Sequence, residues 1–331
     1  MNNLKKIGLT ALAGSLVATS AYAGALSVSG SAGVKYQSKS GSSGTASVQG
    51  NPYSDSNGIT FSGSGDLDNG MTVDLAMKID SSDSAVGAGI DNRSLKIGMD
   101  TAGTLEFWGK AGDSVISAHD DKMPTAYEES FDGADGPGQG HTSTNMFYYS
   151  NNSVEGVGID VSYTPSGGDT SKEGSMEFGI EVTAIEGLTL GFASGEDKSG
   201  GTGAAKDNTI AYITYAFGPV TVGYQQNESD DATAAAASAT AGAAPASGDE
   251  DYTAMAISYA VNEDLSISIG KSELDYELAS VDNQESTSIN ASYTMGSMTL
   301  SVAMAEEKNR GGSTKAVDDV KGYAINLAFA F

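Results

Sequence analysis

The sequence predicts an all-β chain that crosses a membrane with strands: a transmembrane antiparallel up-and-down β-barrel of 16 strands, with its long third loop folded into the lumen. Three observations carry this. Short segments along the chain alternate apolar with small or polar residues, and successive side chains of a strand point to opposite faces. After residue 23 no run approaches the ~18 consecutive apolar residues that a spanning helix needs. The stretch Gly322 to Phe331 alternates up to the final phenylalanine and puts Tyr323, Ile325, Leu327, Phe329 and Phe331 on one face. A soluble domain rarely ends on its most hydrophobic strand, because termini fray in water. A membrane barrel needs its last strand, which closes the cylinder and removes the edge.

The amino terminus reads as a secretory signal peptide over residues 1–23. Asn2-Asn3-Leu4-Lys5-Lys6 is basic, Ile7 to Ala18 is apolar, and Ala21-Tyr22-Ala23 has the shape of a cleavage site. The apolar run is short for a membrane anchor. A mature domain over 24–331 is expected.

The strands follow in order. Residues 25–37 set Leu26, Val28, Ala32, Val34 and Tyr36 against Ser27, Ser29, Ser31 and Lys35. Residues 58–66 set Ile59, Phe61, Gly63 and Gly65 against Thr60, Ser62, Ser64 and Asp66, and 71–80 set Met71, Val73, Leu75, Met77 and Ile79 against Thr72, Asp74, Ala76, Lys78 and Asp80. The same alternation predicts strands over 93–99, 104–110, 144–150, 157–164, 175–184, 188–195, 207–217, 219–227, 251–261, 264–273, 284–295, 297–307 and 321–331.

The connections alternate short and long. Leu67-Asp68-Asn69-Gly70, Asp100-Thr101-Ala102-Gly103, Glu186-Gly187, Gly218-Pro219, Asn262-Glu263-Asp264 and Gly296-Ser297 carry turn chemistry, and Asn151–Gly156 is a longer member of this set. Between them lie long loops, as a barrel with both ends on one side requires. Tyr36, Tyr163, Phe178, Tyr224, Tyr252 and Tyr323 are expected in an aromatic belt near the outer rim, and Phe217, Tyr259, Tyr293, Phe329 and Phe331 near the inner one.

Composition narrows the function. The formal charge of −26 leaves no basic patch to neutralise phosphates, so nucleic acid is not an expected partner. The lack of cysteine removes disulfide frameworks and thiolate metal sites. Both histidines, His119 and His141, fall in one long loop, and no nucleophile elbow, zinc motif or phosphate loop appears, so no enzyme is expected.

A 16-stranded barrel is too wide for side chains to fill, so water or a plug must occupy it. The longest loop, 111–143, is the natural constriction. It carries Asp113, Asp120, Asp121, Glu128, Glu129, Asp132 and Asp135, with Lys122 as its only Lys or Arg. Met123-Pro124-Thr125-Ala126-Tyr127 gives it a stiff apolar element that can pack on the inner wall. Lys35, Lys78, Lys96 and Lys110 alternate out of phase with the apolar face and are expected on the opposing lumen wall; Arg93 is expected at the rim or in a register shift. Asp160, Glu177 and Glu181 also point inward by alternation, which predicts a mild preference for cations. Glu228, Asp230, Asp231, Asp249, Glu250 and Asp251 flank one loop. They read first as a solvated charge run, with a divalent cation as the alternative; no other cofactor is expected.

The terminal Phe331 strand resembles the insertion signature of outer-membrane barrels. With the opening Leu26-Ser27-Val28-Ser29-Gly30 and the long loop after Leu105-Glu106-Phe107-Trp108-Gly109-Lys110-Ala111-Gly112-Asp113, the chain resembles the general bacterial porins of Gram-negative outer membranes, and most closely their alphaproteobacterial type. The Pro-Glu-Phe-Gly-Gly stretch of enterobacterial constriction loops is absent, and lysines stand where those proteins carry arginines. The resemblance implies passive diffusion of small hydrophilic solutes, a homotrimer, lipid and lipopolysaccharide as surroundings, and the barrel-assembly machinery as a partner during biogenesis. Small outward residues Gly30, Ala32, Gly63 and Gly65 suit close packing between protomers. Two alternatives stand beside the diffusion channel: a solute-specific channel, for which inward Trp108 is suggestive, and a plugged barrel with an adhesin or structural role.

Overall fold

The computed structural model describes residues 26–40, 42–43, 46–47, 51–80, 89–127, 142–166, 174–198, 205–231, 249–276, 281–312 and 319–331. The segment expected to be a signal peptide, residues 1–23, lies outside them. Sixteen antiparallel strands form one closed barrel. They are β1 (Leu26–Ser40), β2 (Tyr53–Asp66), β3 (Thr72–Asp80), β4 (Gly89–Gly98), β5 (Thr104–Lys110), β6 (Met146–Val154), β7 (Val157–Thr164) and β8 (Ser175–Val182). There follow β9 (Leu188–Asp197), β10 (Lys206–Phe217), β11 (Val220–Asp231), β12 (Glu250–Ala260), β13 (Leu265–Asp275), β14 (Gln284–Met295), β15 (Met298–Lys308) and β16 (Val320–Ala330). Each strand pairs with its sequence neighbours, and β16 pairs with β1. Among the described residues no helix is long and apolar enough to cross a membrane. The strands do the crossing instead, because closure satisfies every ladder.

The seam is tight. Phe331 donates its amide to the Gly30 carbonyl at 2.9 Å, and Gly30 donates back at 2.6 Å. A Cβ on Gly30 would collide with the Phe331 ring, so this glycine is what lets the ring lie over β1.

The two faces of the wall separate by residue type. On β14, Ser286, Ser288, Asn290 and Ser292 are buried inward, while Ile289, Tyr293 and Met295 are exposed outward. Tyr323, Ile325, Phe329 and Phe331 are likewise exposed on the outer surface, ready for lipid contact. Outward rings cluster at both rims: Tyr36 lies 5.1 Å from Tyr53 and 5.9 Å from Tyr323, Phe107 lies 5.1 Å from Phe147, and Tyr215 lies 5.8 Å from Phe217.

Several boundaries differ from the sequence expectation. β2 starts at Tyr53 and β11 runs to Asp231, so Glu228 and Asp230 sit on a strand and face outward rather than lying in a loop. Ladder hydrogen bonding between neighbours carries polar residues into the strands where apolar alternation has ended. The connection expected over Asn151–Gly156 is a tight turn at Glu155-Gly156, because β6 continues through a bulge between Asn151 and Val154. Tyr252 does not join the outer belt: it is buried, opposite Asn227 and Leu274 on the inner face.

Candidate functional site

The interior is organised around the segment that follows β5. Ser114 caps a short helix, α1 (Val115–His119), by accepting the Ser117 amide. The Val115 amide donates to Ser162 Oγ on β7 at 3.1 Å, and the Ile116 amide donates to Glu177 Oε2 on β8 at 2.8 Å. His119 Nε2 lies 3.6 Å from Asp160 Oδ2 on β7. The Lys122 amide donates to Gln225 Oε1 on β11 at 3.0 Å, and the Gln225 amide group bonds back to the Asp120 carbonyl. The Ala126 amide donates to Ser268 Oγ on β13 at 2.8 Å, and Asn290 on β14 donates to Thr125 Oγ1 at 3.4 Å. All these partners stand on the inner face of their strands. Residues 114–127 therefore run along the wall from β7 to β14.

Two kinds of residue make room for this segment. Gly179 and Ala193 form a low row under α1; a Cβ on Gly179 would come within 2.7 Å of His119 Nε2. Gly223 does the same further on, where a Cβ would stand 2.5 Å from Pro124 Cδ. Between segment and wall lies a hydrophobic core that includes Val115, Ile116, Met123, Ile210, Tyr212 and Tyr252. The apolar element at Met123–Tyr127 thus packs inside the barrel, with Met123 buried.

The acidic residues expected on this loop divide into three groups. Asp113 is exposed in a two-residue ladder that pairs Gly112–Asp113 with Thr142–Ser143. Asp120 and Asp121 follow α1 directly. Glu128, Glu129, Asp132 and Asp135 lie outside the described residues.

On the opposite wall Lys35 stands level with Ser54 and Asn326. Lys78 pairs with Asp91 at 2.8 Å and Asp80 at 3.0 Å. Lys96 pairs with Glu106 at 3.5 Å. Lys110 departs from the expectation. Gly109 is an extra residue in β5, so Lys110 rather than Gly109 lies opposite Arg93, which itself lies opposite outward-facing Met77. The bulge shifts the alternation by one and turns Lys110 to the outer face, where its ammonium bonds the Ile90 carbonyl. Arg93 sits in that register shift. Trp108 does face inward, but its ring occupies the space over Gly112, at the foot of the loop.

Glu177 also departs from a pore-lining role. It is only 2% exposed, and its carboxylate accepts from Ser162 Oγ as well as from the Ile116 amide. Tyr212 donates to Glu181 at 2.6 Å. Among the described residues no group of three or more acids or histidines is placed to hold a metal ion. Sequence reasoning missed the anchors Ser162, Gln225, Ser268 and Asn290; the signal for the last three was the inward Ser, Asn and Gln residues on β11, β13 and β14.

A polar-walled closed barrel with an apolar exterior can conduct water and polar solutes. A family model described as Gram-negative porin matches residues 8–244 and 193–331. The chain belongs to the Gram-negative porin family. Porins of this family reside in the outer membrane, and this one does too. Among solved structures, the porin is similar to OmpT, an outer membrane protein of Vibrio cholerae, with a TM-score of 0.69 at 12% identity over 96% of this chain and 100% of that one. It is similar to Salmonella typhi OmpF in complex with daunomycin, with a TM-score of 0.69 at 13% identity over 93% and 98%. A substituted porin from Rh. blastica gives 0.63 at 15% over 92% and 100%. At these identities the likeness concerns the fold. A comparison with curated protein sequences gives no match.

Proposed function

We propose that this porin is a water-filled channel for passive diffusion of small hydrophilic solutes and ions, narrowed by the segment after β5 and mildly cation-selective. The observation that carries it is the line of hydrogen bonds from Ser162 to Asn290, which ties residues 114–127 across the inner wall. Such a brace leaves the rest of the lumen to water. It also reduces the area open to solutes without plugging it. The cation preference rests on inward acids: Asp74, Glu106, Asp160 and Glu181 face the interior along with Asp80 and Asp91, against Lys35, Lys78 and Lys96. Rings of like charge set the sign of the permeating ion.

A homotrimer fits the same reading. Gly63 and Gly65 face outward with open space around them, and small residues let two walls approach closely. Outer-membrane lipid and lipopolysaccharide would cover the remaining apolar face, the barrel-assembly machinery would recognise the Tyr323-to-Phe331 strand, and no catalytic step is assigned. Liposome swelling with sugars of graded size tests the proposal. Swelling rates should fall smoothly with solute mass and reach zero for large oligosaccharides. Uptake of one sugar far above its size class would favour a solute-specific channel instead, and no swelling from folded protein would favour a plugged barrel.

A further inference from the structure

The bulge at Gly109 leaves two cations side by side on the outer wall. Arg93 and Lys110 lie opposite each other on β4 and β5, and both are exposed. Lys110 is the last residue of β5, so the pair stands at the long-loop end of the barrel. On the next outward rung toward the short turns lie Leu95, Phe107 and Phe147, the two rings 5.1 Å apart. The pair thus sits at the edge of the apolar band, where lipid headgroups begin. We propose that Arg93 and Lys110 form a binding site for the phosphate of a membrane-lipid headgroup. The proposal rests on the outer-membrane placement given above and is independent of conduction.

Like charges that face each other on neighbouring strands repel. Other outward cations have acids beside them: Lys308 lies 3.9 Å from Glu285, and Lys321 lies 2.6 Å from Glu306. Among the described residues neither Arg93 nor Lys110 has an ion pair, and the ammonium of Lys110 bonds only the Ile90 carbonyl. Asp80 on β3 and Asp91 on β4 are taken up by Lys78. In a chain with a formal charge of −26, two adjacent cations without an acid are out of keeping with their surroundings. A phosphate between them turns one repulsion into two attractions.

The local geometry suits that ligand. A Cβ on Gly109 would stand 2.7 Å from Arg93 Nε, so this glycine lets the Arg93 side chain lie along the wall. A guanidinium presents paired N–H donors that match two phosphate oxygens. The Lys110 ammonium gives one donor to the Ile90 carbonyl and keeps two for a ligand. The acyl chains of the same lipid would run over Leu95, Phe107 and Phe147, an apolar contact that a soluble phosphate cannot make.

Native mass spectrometry of the folded protein in neutral detergent, with dioleoyl phosphatidic acid and dioleoyl phosphatidylcholine as probes, tests this directly. Phosphatidic acid should bind about tenfold more tightly than phosphatidylcholine, whose own ammonium offsets its phosphate. Arg93→Gln and Lys110→Gln should each weaken phosphatidic acid about tenfold, since one charge-assisted contact is worth about that factor. Lys271→Gln removes an outward lysine between Met255 and Thr287, with no second cation opposite, and should leave the affinity unchanged. Inorganic phosphate equimolar with the lipid should not displace it. Folding of each variant is read from heat-modifiable migration. Equal binding of the two lipids, unchanged affinity in folded Arg93→Gln and Lys110→Gln, an equal loss in Lys271→Gln, or displacement by equimolar inorganic phosphate would each overturn the assignment. So would loss of the oligomer in these variants with lipid binding intact, which would give the pair to an acid of a second copy, such as its Asp55, a residue on the outer face opposite Val34.

Discussion

The main-chain amide of Ile116 donates a 2.8 Å hydrogen bond to the carboxylate of Glu177, 61 residues further along the chain. Glu177 therefore closes the amino-terminal turn of α1 from the opposite strand, in a position where a negative charge meets free amides. One buried acid fixes where the loop enters the lumen.

Replacing it should loosen that entry. Glu177→Ala leaves the Ile116 amide without its acceptor, at about 1–3 kcal/mol. Single-channel records of this variant should show more current noise and a higher mean conductance than the wild type. Glu177→Gln keeps an acceptor oxygen and should recover most of the difference. Identical records for all three proteins would mean that this contact does not position the loop.

Further along, Gly223 tests the same brace from the wall. A Cβ there would stand 2.5 Å from Pro124 Cδ. Gly223→Leu should push the Met123–Tyr127 stretch off β11 while the barrel still closes, because the ladder itself needs no glycine. The expected outcome is normal heat-modifiable folding with an altered conductance. Unaltered conductance would place the narrowest point elsewhere.

The lysines should separate by face. Lys78→Gln removes the partner of Asp80 and Asp91 inside the barrel and should raise cation selectivity in reversal-potential measurements. Lys110→Gln, on the outer face, should leave the reversal potential where it was. A shift of equal size from both would mean that Lys110 reaches the lumen after all.

The seam gives a folding prediction. Gly30→Val places a branched side chain where the Phe331 ring lies and should reduce the folded, heat-modifiable fraction strongly. Phe331→Ala in the same background relieves the clash and should restore part of it. Full folding of Gly30→Val alone would show that the ring can move without cost.

Period-2 alternation made the barrel legible in the sequence, since each strand has one face in lipid and one in water. Strand number, order and the short turns followed from it. Alternation failed where a residue is inserted: Gly109 and the irregularity after Asn151 shift the phase, and nothing local in the sequence marks them. That is why Lys110 was expected inside. It also cannot tell a lumen-facing acid that meets water from one that is buried under a loop. Glu177 and Glu181 share a face, yet the first is consumed by α1 and the second is held by Tyr212. Such distinctions depend on contacts between residues far apart in the chain, which no spacing encodes.

The most direct measurement is the current through the folded protein in a planar bilayer under a KCl gradient. Discrete open steps are expected, closing in groups of three if the trimer forms, with a reversal potential of cation sign. A folded, heat-modifiable barrel that passes no current would contradict the channel itself, and open channels with an anion-selective potential would contradict the charge assignment of the lumen.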